Sequence, residues 1–130
     1  MTMYELYKKA LNVMFEKPTS KVYDSYYKDH INLLLANVFD INNTIRISQQ
    51  KEPLETIPVL SKDTDEIPYE DQVVNEILPF GLAAQFSIDD DLNKYQIFNT
   101  YFQNACFKYE RAIVCEIEDV NVWQECKHLL

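Results

Sequence analysis

One glycine, Gly81, is present in the 130 residues of this chain, and it lies in an apolar run two residues after Pro79. Glycine inside a helix costs about 1 kcal/mol relative to alanine, so a lone glycine in such a run indicates that something packs closely against its backbone. Proline lacks the amide hydrogen that a helix interior needs, and therefore starts or kinks a helix. The sequence predicts a helical turn at residues 79–84 against which a second helix packs tightly.

Three consecutive aspartates, Asp89, Asp90 and Asp91, end this apolar run. Side chains of consecutive residues do not point to one spot, and a calcium loop needs alternating ligands, a central glycine and a closing glutamate, so the run does not predict a metal site. Aspartate is a preferred residue at helix N-termini. We therefore expect the three aspartates to close one helix and cap the next.

Apolar residues recur at helical spacing along most of the chain, which predicts an all-α protein. Thr2 and Glu5 form a capping box for the first helix, and Pro18 ends it. The expected helices cover residues 2–17, 19 or 20 to about 43, 68–88 and 92–115. The spacing is clearest in the fourth of these, at Tyr95, Phe98, Phe102, Ala105, Tyr109 and Ala112. We expect a small four-helix bundle formed by residues 1–115, followed by an extended C-terminal tail, residues 116–130.

Residues 46–68, between the second and third expected helices, break the helical pattern. The segment contains Pro53, Pro58 and Pro68, with acidic residues between them. It predicts a long exposed loop, with a short extended piece at 57–60 or a hairpin. Loops of this length in a small domain tend to be functional.

The composition limits the classes of function. Hydrophobic residues make up 47% of the chain, enough for a core. The net charge is -9, and residues 52–91 hold eleven acids and one lysine. A surface of this kind disfavours tight binding to a phosphate backbone, which needs clustered lysine and arginine. We expect no signal peptide, because charges interrupt the N-terminal apolar residues, and no membrane-spanning segment, because the longest uncharged run, Tyr95 to Phe107, is too short and too polar.

Residue types that carry catalysis are sparse. The chain has two histidines, no nucleophile motif, no phosphate-binding loop and no dinucleotide fingerprint, so we expect neither an enzyme nor a bound cofactor. Cys115, Cys126 and His128 are zinc-ligand types, but they lack a CxxC pair. We therefore predict no metal site, and three widely spaced cysteines favour a reduced intracellular protein.

The tail at 116–130 leaves two possibilities open. It contains Trp123, the only tryptophan, and the apolar residues Val120, Val122, Leu129 and Leu130. This segment either folds back on its own core or anchors the protein to another chain, because tryptophan is enriched among residues that dominate binding interfaces.

Two stretches of the chain also resemble a known family. Residues 65–110 match more closely, with DEIPYEDQVVNEILPFGLAAQFSIDDD followed by the aromatic helix NKYQIFNTYFQNACFKYE, and residues 1–45 match more loosely, with INLLLANVFDINN. In this order they resemble the head-to-tail adaptor, or connector, proteins of tailed bacteriophages and prophages. The acidic loop and the C-terminal tail match poorly.

This resemblance implies a structural virion protein that is made in the bacterial host cytoplasm and located at the head–tail junction. Such proteins form a ring of about twelve copies beneath the portal, extend the DNA channel without binding DNA specifically, and dock the next neck or tail component. By position, residues 116–130 would be the arm that docks on the portal. The acids of the loop would face the channel or a partner: Glu52, Glu55, Asp63, Asp65 and Glu66. The alternative is an acidic helical binding module that regulates a basic partner protein.

Overall fold

The computed structural model describes residues 1–17, 19 and 21–117, with backbone alone over 111–117. This part of the chain contains five α-helices: α1 (Met3–Val13), α2 (Tyr27–Asn37), α3 (Phe39–Ser48), α4 (Leu78–Ser87) and α5 (Leu92–Ile117). Among the described residues, β pairing is limited to one isolated bridge between Thr2 and Glu66. The predicted all-α class is confirmed, whereas the expected number of four helices is wrong.

The long second helix of the prediction is two helices. Residues 22–26 form turns, so α2 begins at Tyr27 instead of residue 19 or 20. Val38 then separates α2 from α3, because its φ of -104° and ψ of 10° lie outside the helical region. The apolar spacing continues through the break, since Leu34, Val38 and Ile41 are all buried in the same core. Periodicity therefore cannot reveal this change of direction.

The backbone around Pro79 is helical without interruption from residue 71 to residue 87, but its geometry changes. Val73–Ile77 forms a π-helical turn, in which the N–H of Leu78 donates to the carbonyl of Val73. Pro79 has no N–H to donate, and its ring crowds the carbonyl four residues earlier. The wider turn relieves this crowding, and α4 then starts with Pro79 in its first turn. The interruption that the sequence predicts at Pro79 thus takes the form of a π-helical turn.

Helix α4 occupies the centre of the fold. It contacts α1, α2 and α5. Nearly all of its side chains are buried, as expected for a helix that is apolar on every side. The core around it includes residues that are fully buried: Leu6, Leu11, Ile31, Leu35, Ile77, Leu78 and Leu82.

The segment between α3 and the π-helical turn is held against the helices. We call residues 49–70 the connecting segment; it replaces the expected loop at 46–68, because α3 continues to Ser48. Its Leu54 and Leu60 are partly buried against the core. Ile67 and Tyr69 are buried, and the Tyr69 hydroxyl donates to the Leu35 carbonyl at 2.5 Å. The connecting segment is therefore a mostly exposed stretch without helix or strand, and these apolar side chains fix it to the helices; it does not form a hairpin.

Candidate docking surfaces

Gly81, the lone glycine, lies where α4 meets α2 and α5. A Cβ atom built on Gly81 would lie 2.8 Å from Cδ2 of Leu34 and 3.0 Å from two ring atoms of Phe102. Real Cβ atoms keep longer distances than these, so the absence of a side chain allows the three helices to approach one another. Gly81 and Pro79 therefore shape the core; both are buried.

The three aspartates divide between two tasks. Oδ1 of Asp91 accepts from the backbone N–H groups of Asn93 and Lys94, at 2.9 and 3.3 Å, and so caps α5. Asp89 and Asp90 are exposed and line a cleft instead. The capping function expected for the whole run thus belongs to its third residue.

Three of the five acids proposed to face a channel or partner form hydrogen bonds or ion pairs within the subunit. Asp63 accepts from the hydroxyl of Tyr27 and pairs with Lys28 at 3.3 Å. Asp65 accepts from the N–H groups of Ser61 and Lys62, both at 3.0 Å, and these bonds lower the pKa of its carboxyl.

The remaining acids of this set differ in their surroundings. Glu66 is bonded to the Met1 amino group at 2.8 Å. Glu52 and Glu55 are exposed on the connecting segment. Glu52 and Glu55 thus differ from Asp63 and Glu66, which are also exposed but pair with a cation of the same subunit.

A cleft of about 620 Å³ opens between the chain that precedes α2 and the end of α4. Its floor is aromatic: the rings of Tyr23 and Phe86 stack at 4.2 Å and 8°, and the ring of His30 meets Phe86 edge-on at 5.8 Å. Nδ1 of His30 lies 2.8 Å from Oε1 of Gln85, which fixes the imidazole in place. We call this site the acidic cleft; its floor and walls are Val22, Tyr23, Tyr26, His30, Gln85 and Phe86.

The rim of the acidic cleft is negatively charged. Glu16, Asp89 and Asp90 line it, and among the described residues around it none is a lysine or an arginine. The pKa of the Tyr23 hydroxyl is raised, first by burial and then by the charges of Asp90 and Glu16. Large apolar side chains stay open to solvent at its wall, since Val22 is 70% exposed and Tyr26 is 58% exposed. The cleft therefore combines an apolar surface with a negative potential.

A second open surface lies on α5. Asn93, Gln96, Ile97, Thr100 and Tyr101 line a shallow groove of about 440 Å³, which we call the α5 groove. Ile97 is 50% exposed, and the ring of Tyr101 meets Phe80 edge-on at 5.4 Å. The α5 groove has no acidic lining residue among those described, so it differs in character from the acidic cleft.

The described residues include a free thiol, that of Cys106, and side chains of metal-ligand type. No group of three or more His, Cys, Asp or Glu side chains within them is placed to hold a metal ion. Burial, followed by the charge of Glu110, raises the pKa of the Cys106 thiol to about 11, which disfavours the reactive thiolate. No helix of this part of the chain combines the length and apolar character needed to cross a membrane. The expected ligand types Cys126 and His128 lie outside the described residues, as does the side chain of Cys115.

The C-terminal tail is only partly within the described residues. Helix α5 continues to Ile117, so the first two residues of the expected tail are helical. The proposed docking side chains lie outside the described residues: Val120, Val122, Trp123, Leu129 and Leu130. Their role stays a prediction from the sequence.

Sequence patterns did not reveal the acidic cleft. Val22, Tyr23 and Tyr26 fall within the second expected helix, whereas the structure places them in turns before α2. The sequence contains one sign of the cleft. A helix N-terminus needs a single capping aspartate, so two of the three consecutive aspartates are free for another role. No local pattern, however, connects Tyr23 with Phe86.

No family model, curated protein or solved structure matches the chain.

Proposed function

We propose that this protein is a structural subunit of the head–tail junction of a tailed bacteriophage or prophage, an adaptor without catalytic activity that forms a ring beneath the portal. One observation carries the proposal: a single subunit presents open surfaces of different character, among them the acidic cleft and the α5 groove. A ring adaptor contacts neighbouring copies of itself and also a different protein, so each subunit needs separate contact surfaces. We assign the α5 groove to contacts within the ring and the acidic cleft to another protein. The resemblance of residues 65–110 to such adaptors supplies the biological setting.

The charge of the chain suits a ring through which DNA passes. With a net charge of -9, the protein repels phosphate groups, so a genome can slide past without being held. Salt screens this repulsion beyond roughly 10 Å, which limits it to the surface nearest the channel. We assign Glu52 and Glu55, which are exposed on the connecting segment, to this surface or to a partner.

We assign the contact with the portal to the C-terminal tail. It follows directly from α5, the longest helix of the fold, and contains Trp123. Anchoring by a tryptophan suits a docking arm, because this side chain contributes a large contact area. The downstream neck or tail protein then docks on the ring surface that the arm leaves open.

A second candidate function is a binding module that sequesters a basic protein. The acidic cleft favours it, because three carboxylates surround an apolar floor. This alternative needs neither a ring nor a portal. It predicts capture of a DNA-binding protein at low salt, with loss of the complex at high salt.

Electron microscopy of the protein mixed with its cognate portal tests the adaptor proposal. We expect an added ring of density on the portal, which Trp123→Ala in the full chain should remove. Ile97→Glu should disrupt contacts within the ring, whereas Ile47→Glu is a matched control, since Ile97 and Ile47 are 50% and 51% exposed on different helices. A portal that stays bare at saturating concentrations of the wild-type protein would disprove the adaptor function.

A further inference from the structure

We propose that the acidic cleft binds a partner-protein segment that presents an arginine or a lysine beside an apolar side chain. The inference deepens the adaptor function by giving a docking site and a partner chemistry. It rests on that function only for the identity of the partner.

The size and floor of the cleft fit inserted side chains. Its volume of about 620 Å³ lies within the range of roughly 300–1,000 Å³ that is usual for ligand sites. The stacked rings of Tyr23 and Phe86 form one continuous apolar surface at its base. The hydrogen bond between His30 and Gln85 holds a wall that both apolar and polar groups can contact. The floor is therefore formed before any partner arrives.

The charge of the rim selects a cation. Glu16, Asp89 and Asp90 surround the aromatic floor. Among the described residues none of the three forms an ion pair with a lysine or an arginine, and Lys28 of α2 pairs with Asp63 at 3.3 Å. A guanidinium group can stack on a tyrosine ring and donate to carboxylates at the same time, which makes arginine the best-suited residue. Phosphates and acidic peptides are repelled by the same rim.

Nuclear magnetic resonance titration of the full chain measures this preference directly. The probes are two blocked peptides, Gly-Leu-Arg-Leu-Gly and Gly-Leu-Glu-Leu-Gly, added to ¹⁵N-labelled protein at low salt. We expect the arginine peptide to shift the backbone signals of Tyr26, His30 and Gln85, and the glutamate peptide to leave them in place. Equal shifts with both peptides, or shifts that map elsewhere, would overturn the proposal.

Two variants that each lose two negative charges distinguish binding at the cleft from attraction by the net charge of the protein. The double variant Asp89→Asn with Asp90→Asn should weaken binding of the arginine peptide by about five- to tenfold, since two rim charges are lost. The control, Asp40→Asn with Asp71→Asn, removes two exposed charges that do not line the cleft and should leave the affinity within about twofold. Equal weakening in both would show that net charge alone attracts the peptide. Unperturbed amide spectra of both variants verify that they fold.

Light scattering and portal binding complete the test, and they separate this inference from the adaptor function. If the double aspartate variant alone changes the oligomeric state, a second copy of the chain occupies the cleft and the inference fails. If a wild-type ring forms on the portal but no peptide binds, the inference fails and the adaptor stands. If the peptide binds as expected but no portal complex forms, the cleft stands and the adaptor function fails.

Discussion

The side-chain amide of Asn43 forms both hydrogen bonds of a backbone pair with Leu54: the Leu54 N–H donates to Oδ1 at 2.8 Å, and Nδ2 donates to the Leu54 carbonyl at 3.1 Å. Asn32 repeats this arrangement with Leu60, at 2.9 Å for both bonds. Each helix asparagine thus provides the two hydrogen bonds that a neighbouring β-strand would otherwise provide to the backbone. These two amides satisfy backbone groups that would otherwise lie half-buried without partners. They fix the connecting segment on α2 and α3.

Replacement of Asn43 by alanine should therefore loosen the connecting segment. We expect Asn43→Ala to lower the free energy of unfolding by about 1–3 kcal/mol, because both polar groups of Leu54 lose their partner. Hydrogen exchange should show faster exchange of the Leu54 amide. Asn12→Ala, at an exposed position on α1, is the control and should be neutral within about 0.5 kcal/mol. Equal exchange of Leu54 in wild type and variant would show that the pair does not hold the segment.

Addition of one methyl group at Gly81 should destabilise the fold. Overpacking costs about 1–3 kcal/mol, while the gain in helix propensity offsets about 1 kcal/mol of it. We expect a net loss of about 1 kcal/mol for Gly81→Ala, and a larger loss for Gly81→Leu, measured by urea unfolding. In a Leu34→Ala background the cost should shrink by at least about 0.5 kcal/mol, since the nearest clashing atom is gone. Strict additivity of the two changes would contradict the close contact.

The aspartate run permits a direct comparison of capping and non-capping positions. Asp91→Ala should lower the free energy of unfolding by about 0.5–2 kcal/mol, because the amides of Asn93 and Lys94 lose their acceptor. Asp89→Ala serves as the control and should change stability by less than about 0.5 kcal/mol. Similar losses at both positions would mean that Asp91 has no special role at the start of α5.

The buried thiol of Cys106 predicts a pH dependence. Its pKa is raised from 9.0 to about 11, first by burial and then by the charge of Glu110. The unfolded chain therefore loses this proton at lower pH than the folded protein does. The resulting stabilisation is present in full below about pH 9 and is lost as the pH rises through about 11.

Cys106→Ala isolates this contribution. Urea unfolding of wild type and variant from about pH 7.5 to about pH 10.5 should show a steeper loss of stability in the wild type, because tyrosine ionisation affects both proteins equally. Parallel curves would show that the pKa of Cys106 is the same in the folded and unfolded chains.

The roles of Gly81 and of the acidic residues could be predicted from the sequence only in part. The residue types predicted a close helix approach at Gly81 and a helix start near Asp91. The structure confirms both. The residue types did not indicate that Asp89 and Asp90 turn toward His30 and the aromatic floor, because the run offers three equivalent capping candidates. The acids at Asp63 and Asp65 also seemed open to a partner. In the structure Asp63 accepts from the distant Tyr27, while Asp65 accepts from the nearby N–H groups of Ser61 and Lys62.

The sequence by itself determined the helical class and the need for a close approach at Gly81. Both follow from short-range properties: apolar spacing, proline without an amide hydrogen and glycine without a side chain. Tertiary structure decided the break at Val38, the binding of the connecting segment and the acidic cleft. These features depend on pairs far apart in the chain, such as His30 and Gln85, which are separated by 55 positions. Local periodicity contains no information about which distant residues meet, because that choice is made by the packing of the helices around α4.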